Sequence, residues 1–166
     1  MSENRDDELA RRLKDVAASV AGLSEDEAVE MLETRLKQVR ANGWARHRLS
    51  LARARGTLAN ALCSDAEPAM ISSIEDMVAT IEGSGPTEAV PLPPRASAED
   101  PSSADYDPEL AGNLAELLAC HYQNSVSILG LIAKTSVAGD DPELLASLEA
   151  LLEHDLEAIS ELDPRD

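Results

Sequence analysis

The chain contains no Phe, one Trp (Trp44) and two Tyr (Tyr106 and Tyr122), so aromatic residues make up 2% of its 166 positions. β-Sandwiches and barrels fill their cores with aromatic and β-branched side chains. This chain instead has 26 Ala and 23 Leu, residues that lose least on entering a helix. The composition therefore excludes an all-β fold and predicts an all-α one. Cysteine is also scarce: Cys63 and Cys120 lie inside apolar helical stretches, where a free thiol packs as a small hydrophobe, and this points to a reducing compartment. No stretch approaches the roughly 18 apolar residues of a membrane span. The first eight residues are polar and lack the apolar segment of a secretory signal, so a cytoplasmic protein is expected.

Chemical motifs are missing too. No Ser/His/Asp or Cys/His set is recognisable, no Gly-rich phosphate loop and no Cys-x-x-Cys pair. The sequence accordingly predicts neither an enzymatic reaction nor a cofactor.

What is present is helical periodicity, punctuated by turns. No proline precedes Pro68, and six of the nine lie between Pro86 and Pro108, in a segment rich in Ser, Gly and acids. Such a composition cannot bury enough apolar surface to offset its chain entropy. Residues 83–107 are expected to be a disordered linker between an N-terminal helical region (1–82) and an acidic helical hairpin (108–166). Pro91-Leu92-Pro93-Pro94-Arg95 within it has the look of a polyproline II spacer or docking motif.

In the first region Leu9, Leu13, Val16 and Val20 recur at helical spacing up to Gly22. Ser24 and Glu27 form a capping-box pattern that opens a second helix with Val29, Leu32, Leu36 and Val39 on one face. Asn42-Gly43 is a turn signal at which that helix either stops or kinks. A third stretch reaches Cys63, and Ser64-Asp65 with Pro68 opens a fourth carrying Ile71, Ile74, Met77, Val78 and Ile81. In the second region Asp107-Pro108 opens a long helix with Leu110, Leu114, Leu117, Leu118, Ile128, Leu129 and Ile132. Gly139 and Asp140-Asp141-Pro142 turn the chain into a last Leu-rich helix.

A shift of 74 residues aligns His47 with His121, Gly56 with Gly130, Pro68 with Pro142 and Ser73 with Ser147, together with apolar pairs such as Ile74/Leu148 and Val78/Leu152. The match predicts an internal repeat, in which two αα-hairpins form a helical bundle with extra N-terminal helices beside it.

The net charge of −18 is uneven. Residues 1–60 hold 11 basic and 10 acidic side chains, whereas residues 61–166 hold 3 and 22. Between positions 34 and 64 seven basic residues occur with no acid. Within this basic cluster (35–55), Arg46 and Arg53 lie on one side of an apolar stripe and Arg48 and Arg55 nearly opposite. Arginines bordering such a stripe suit ion pairs across a helix–helix contact. With Trp44 they are the expected partner-binding residues, and the expected partner is an acidic protein surface or a second copy of the chain. The leading expectation is thus a non-enzymatic helical interaction protein: an adaptor, regulator or assembly factor.

Two alternatives follow from the same residues. His47 and His121, on equivalent apolar stripes, with Glu116 and Glu149, would suit a ferritin-like metal-binding bundle. However, the Glu-x-x-His spacing of such sites is missing, and a core histidine bonded to a neighbour explains both positions. The basic cluster would also suit a nucleic-acid-binding regulator, although 32 acids and few stacking aromatics disfavour phosphate and bases.

Overall fold

A computed structural model of the chain describes residues 3–139 and 141–163, without the side chains of residues 3–10 and 13. The side chains of Leu9 and Leu13 of the expected first stripe, and Asp140 of the expected cap, lie outside the described residues. The described chain is all-α: α1 (Glu3–Val20), α2 (Glu25–Leu62), α3 (Pro68–Gly83), α4 (Arg95–Glu99), α5 (Pro108–Ala138) and α6 (Pro142–Leu162), with no strand among the described residues. It divides into two compact units, Met1–Val39 and Arg40–Asp166, and the division falls inside α2.

The helix starts are written in the sequence. Gly22 adopts φ +89°, a left-handed conformation that ends α1 without a side-chain clash. Ser24 and Glu27 then close the expected capping box: the Ser24 N–H donates to Glu27 Oε2 at 2.8 Å and the Glu27 N–H to Ser24 Oγ at 3.3 Å. The Ser24 N–H, and after it the Ser24 hydroxyl, hold the Glu27 carboxyl below its usual range. The capping bond is therefore complete above the ordinary carboxylate pKa and is lost as acid protonates Glu27. Asp107 and Asp141 cap α5 and α6 in the same manner, accepting from the Leu110 and Leu144 N–H groups at 3.0 Å, each with proline at the first helical position.

The expected break at Asn42-Gly43 does not occur, and α2 runs through it for 38 residues. Asn42 is 5% exposed and has a tertiary role. Its amide donates to Asp107 Oδ2 at 2.9 Å and its carbonyl accepts from Asn113 Nδ2 at 2.8 Å. The side chain that favours turns when it bonds its own backbone is here engaged by another helix.

Within the Arg40–Asp166 unit, α2 and α5 run parallel. Arg46 pairs with Glu109 and Arg53 with Glu116, so a step of seven residues on one helix matches seven on the other. Along the two helices lie Ala41, Ala45, Leu110 and Leu114, then Leu49, Ala52 and Leu117, and finally Ala59 and Ile128 with Leu148 of α6. On the α2 side the seam is alanine with the one exception of Leu49, and such small residues let the helices approach closely. A Cβ at Gly56 would lie 2.5 Å from Asn124 Oδ1, and the Asn124 amide donates to the Ala52 carbonyl at 2.9 Å. α3 returns antiparallel along α2 through Leu51, Ala54 and Val78, and α6 returns along α5.

The segment 83–107 is not the free spacer that its composition predicts. Three of its apolar residues are used. Val90 and Leu92 pack on the Ala41/Ala45/Leu110/Leu114 cluster, α4 forms within it, and Ala98 is fully buried. The Asp107 N–H donates to the Ala98 carbonyl at 3.1 Å, which ties the segment to the start of α5. The proline motif thus lies against its own chain. Conversely, the stripe Val29, Leu32, Leu36 and Val39, which periodicity places on a buried face, is 45–56% exposed.

Asn42→Ala removes a donor and an acceptor from a buried network and is expected to lower unfolding free energy by about 1–3 kcal/mol. Arg46→Ala breaks an ion pair whose side chains are 60% and 55% exposed and is expected to cost under about 1 kcal/mol. Urea melts of the two variants followed by circular dichroism measure the contrast.

Candidate functional site

α2, α5 and α6 enclose a cleft of about 110 Å³. α2 contributes Trp44, Arg48, Leu51 and Arg55, α5 contributes Leu117 and His121, and α6 contributes His154, Glu157 and Glu161. Positions 44, 48, 51 and 55 are spaced 4, 3 and 4 apart, the interval that puts side chains on one face of a helix. Residues 154, 157 and 161 repeat that interval on α6.

The inner wall is polar. His121 and Asp155 are 6% and 3% exposed, and the His121 Nδ1–H donates to Asp155 Oδ1 at 2.7 Å. Asn124 Nδ2 approaches the same oxygen at 3.5 Å. The carboxylate fixes the imidazole ring, and its other nitrogen, Nε2, has no protein partner among the described residues. At the rim the Arg48 guanidinium sits 5.4 Å from the centre of the Trp44 ring, a cation–π contact. Arg48 is exposed and makes no ion pair among the described residues.

The other arginines of the predicted partner-binding set are engaged within the chain: Arg46 with Glu109, Arg53 with Glu116, and Arg55 with Glu82 at 2.7 Å. Of the five predicted residues, Trp44, Arg48 and Arg55 line the cleft, while Arg46 and Arg53 flank the α2–α5 seam.

The residues of the metal alternative are not brought together. His47 is half-buried, and its Nε2–H donates to the Ile81 carbonyl at 2.6 Å, with Gly85 leaving room for the ring. His121 is bonded to Asp155, Glu116 to Arg53, and Glu149 is exposed on α6. Among the described residues no group of three or more His, Cys, Asp or Glu side chains could hold a metal ion. Both cysteines are free and partly buried. Burial pushes the Cys63 thiol up against a weak opposing bond from Thr135, and it pushes the Cys120 thiol up against the charge of Arg53. At neutral pH neither is a ready nucleophile.

The sequence does not single out Asp155, His154 and Glu157 as site residues. The signal for Asp155 was available: it stands 3 and 4 residues beyond Leu152 and Leu151, on the apolar stripe, and 74 residues beyond Ile81. His154 and Glu157 acquire their setting only from the packing of α6 beside α2. Compared with protein-family models, curated proteins and solved structures, the chain matches none of them.

Asp155→Ala leaves the buried His121 N–H without its acceptor and is expected to destabilise the fold by about 1–3 kcal/mol. Asp155→Asn, which keeps an acceptor, is expected to cost less; urea denaturation of both variants tests the order. Labelling with a thiol-reactive disulfide at pH 7 is expected to be at least about tenfold slower than for a free cysteine, and to accelerate on unfolding.

Proposed function

We propose that the chain is a non-enzymatic, cytoplasmic, helical protein–protein interaction protein, an adaptor, regulator or assembly factor, and that a partner seats on the rim of the cleft formed by Trp44 and Arg48. One observation carries this reading. Arg46, Arg53 and Arg55 are used up in ion pairs within the chain, whereas Arg48 lies stacked on the only Trp, exposed and without a carboxylate partner among the described residues. Trp and Arg are the residues most enriched where binding energy concentrates. A partner that brings a carboxylate to Arg48 and an apolar group to Trp44 fits that pair.

The duplicated hairpin belongs to the same reading. The His47 contact to Ile81 and the His121 contact to Asp155 each span 34 residues, and both members of one contact lie 74 residues from those of the other. That coincidence supports descent from one αα-hairpin. In the first copy the histidine meets a main-chain carbonyl; in the second the equivalent position carries a buried acid beside the cleft. The second copy has thus acquired the polar wall and the first the Trp–Arg rim.

The test is affinity capture with the tagged chain, followed by the same capture with single variants. Trp44→Ala and Arg48→Glu are expected to reduce recovery of the specific partner at least about tenfold with helicity unchanged, and Arg46→Glu to reduce it far less. Equal recovery with Arg48→Glu would overturn the assignment of the rim.

A further inference from the structure

The first unit carries a surface that the cleft does not explain. On α2, Val29, Leu32, Leu36 and Val39 are spaced 3, 4 and 3 apart, the interval of a coiled-coil seam, and are 50%, 45%, 49% and 56% exposed. Among the described residues this seam is left about half open to solvent. Its charges are segregated along the helix: Glu25, Asp26, Glu27, Glu30 and Glu33 precede it or border its first half, and Arg35 and Lys37 border its second, with no acid after Glu33 until Asp65.

We infer that this segment pairs antiparallel with the same segment of a second copy, so that the chain forms a two-fold dimer through residues 25–39 of α2. The seam is self-complementary in that orientation. With Thr34 opposite Thr34 of the second copy, Val29 falls opposite Val39 and Leu32 opposite Leu36, twice over by symmetry. The same orientation lays the acidic half of each helix along the basic half of the other. A parallel, in-register pair would stack acid on acid and base on base, so charge selects the antiparallel form. Four half-exposed side chains per copy make a short seam, well below the roughly 800 Å² per partner of stable interfaces, so the dimer is weak and concentration-dependent.

Sedimentation velocity of the full chain from about 5 to 500 µM tests this. The wild type is expected to shift from monomer toward twice its mass as concentration rises, and back toward monomer as salt screens the charges. Leu32→Glu with Leu36→Glu is expected to stay monomeric. The charge variants keep the apolar seam and so separate recognition from folding: E30K/E33K and R35E/K37E are each expected to associate at least about tenfold more weakly alone, and to form a mixed dimer when combined. Val126→Glu, at a 72% exposed position on α5, is expected to leave association unchanged. A wild type that is monomeric throughout, a dimer that survives Leu32→Glu with Leu36→Glu, a dimer abolished by Val126→Glu, or charge variants that associate like the wild type and form no mixed dimer would each overturn the inference.

Discussion

The parallel seam between α2 and α5 is the contact on which the Arg40–Asp166 unit depends. Helices consecutive in a simple up-and-down bundle are antiparallel neighbours, whereas α2 and α5 are separated in sequence by a returning helix and a long connection. Two kinds of contact hold them in one register. Apolar burial of Leu49, Leu110, Leu114, Leu117 and Ile128 against a run of alanines supplies most of the free energy. Buried polar bonds from Asn42 and Asn124 discriminate between registers, because a shift of one turn would strand their partners without bonds. The exposed Arg–Glu pairs on the flank add little energy, but they are consistent with the same register.

That seam also explains the segment 83–107. α3 ends near His47 and α5 begins near Asn42, so the chain has only to cross from one end of α3 to the same end of the bundle. A stretch much longer than the gap is laid down over the open end of the seam, where Val90, Leu92 and Ala98 find apolar neighbours. Its prolines are compatible with this, because Pro86, Pro91, Pro93, Pro94 and Pro101 all lie outside α4, where the path requires few main-chain donors.

The sequence and the structure agree where local chemistry decides and part where tertiary contacts do. The capping box at Ser24, the Asp-Pro starts at 107 and 141 and the apolar face of α5 were legible because each is fixed by residues within one or two turns. Asn42-Gly43 was misleading: its turn preference is local, and the competing bonds to Asp107 and Asn113 come from residues more than 60 positions away. The segment 83–107 was misjudged by composition, since three or four apolar residues suffice to anchor a strap that a bundle already supports. Of the candidate site, the rim residues Trp44 and Arg48 could be named from their type and spacing. The fate of Arg46, Arg53 and Arg55 could not, because their carboxylate partners lie on other helices.

The parallel arrangement bears on how the chain reaches this state. Contacts within the α5–α6 hairpin close over a short connection, and such a hairpin can form early and quickly. The seam contacts between α2 and α5 join residues separated by 63 to 72 positions. Loop-closure entropy must be overcome before those contacts reward it, and that cost is larger than for the hairpin. Until α2 meets α5 its alanine-lined face stands open to solvent and to other chains.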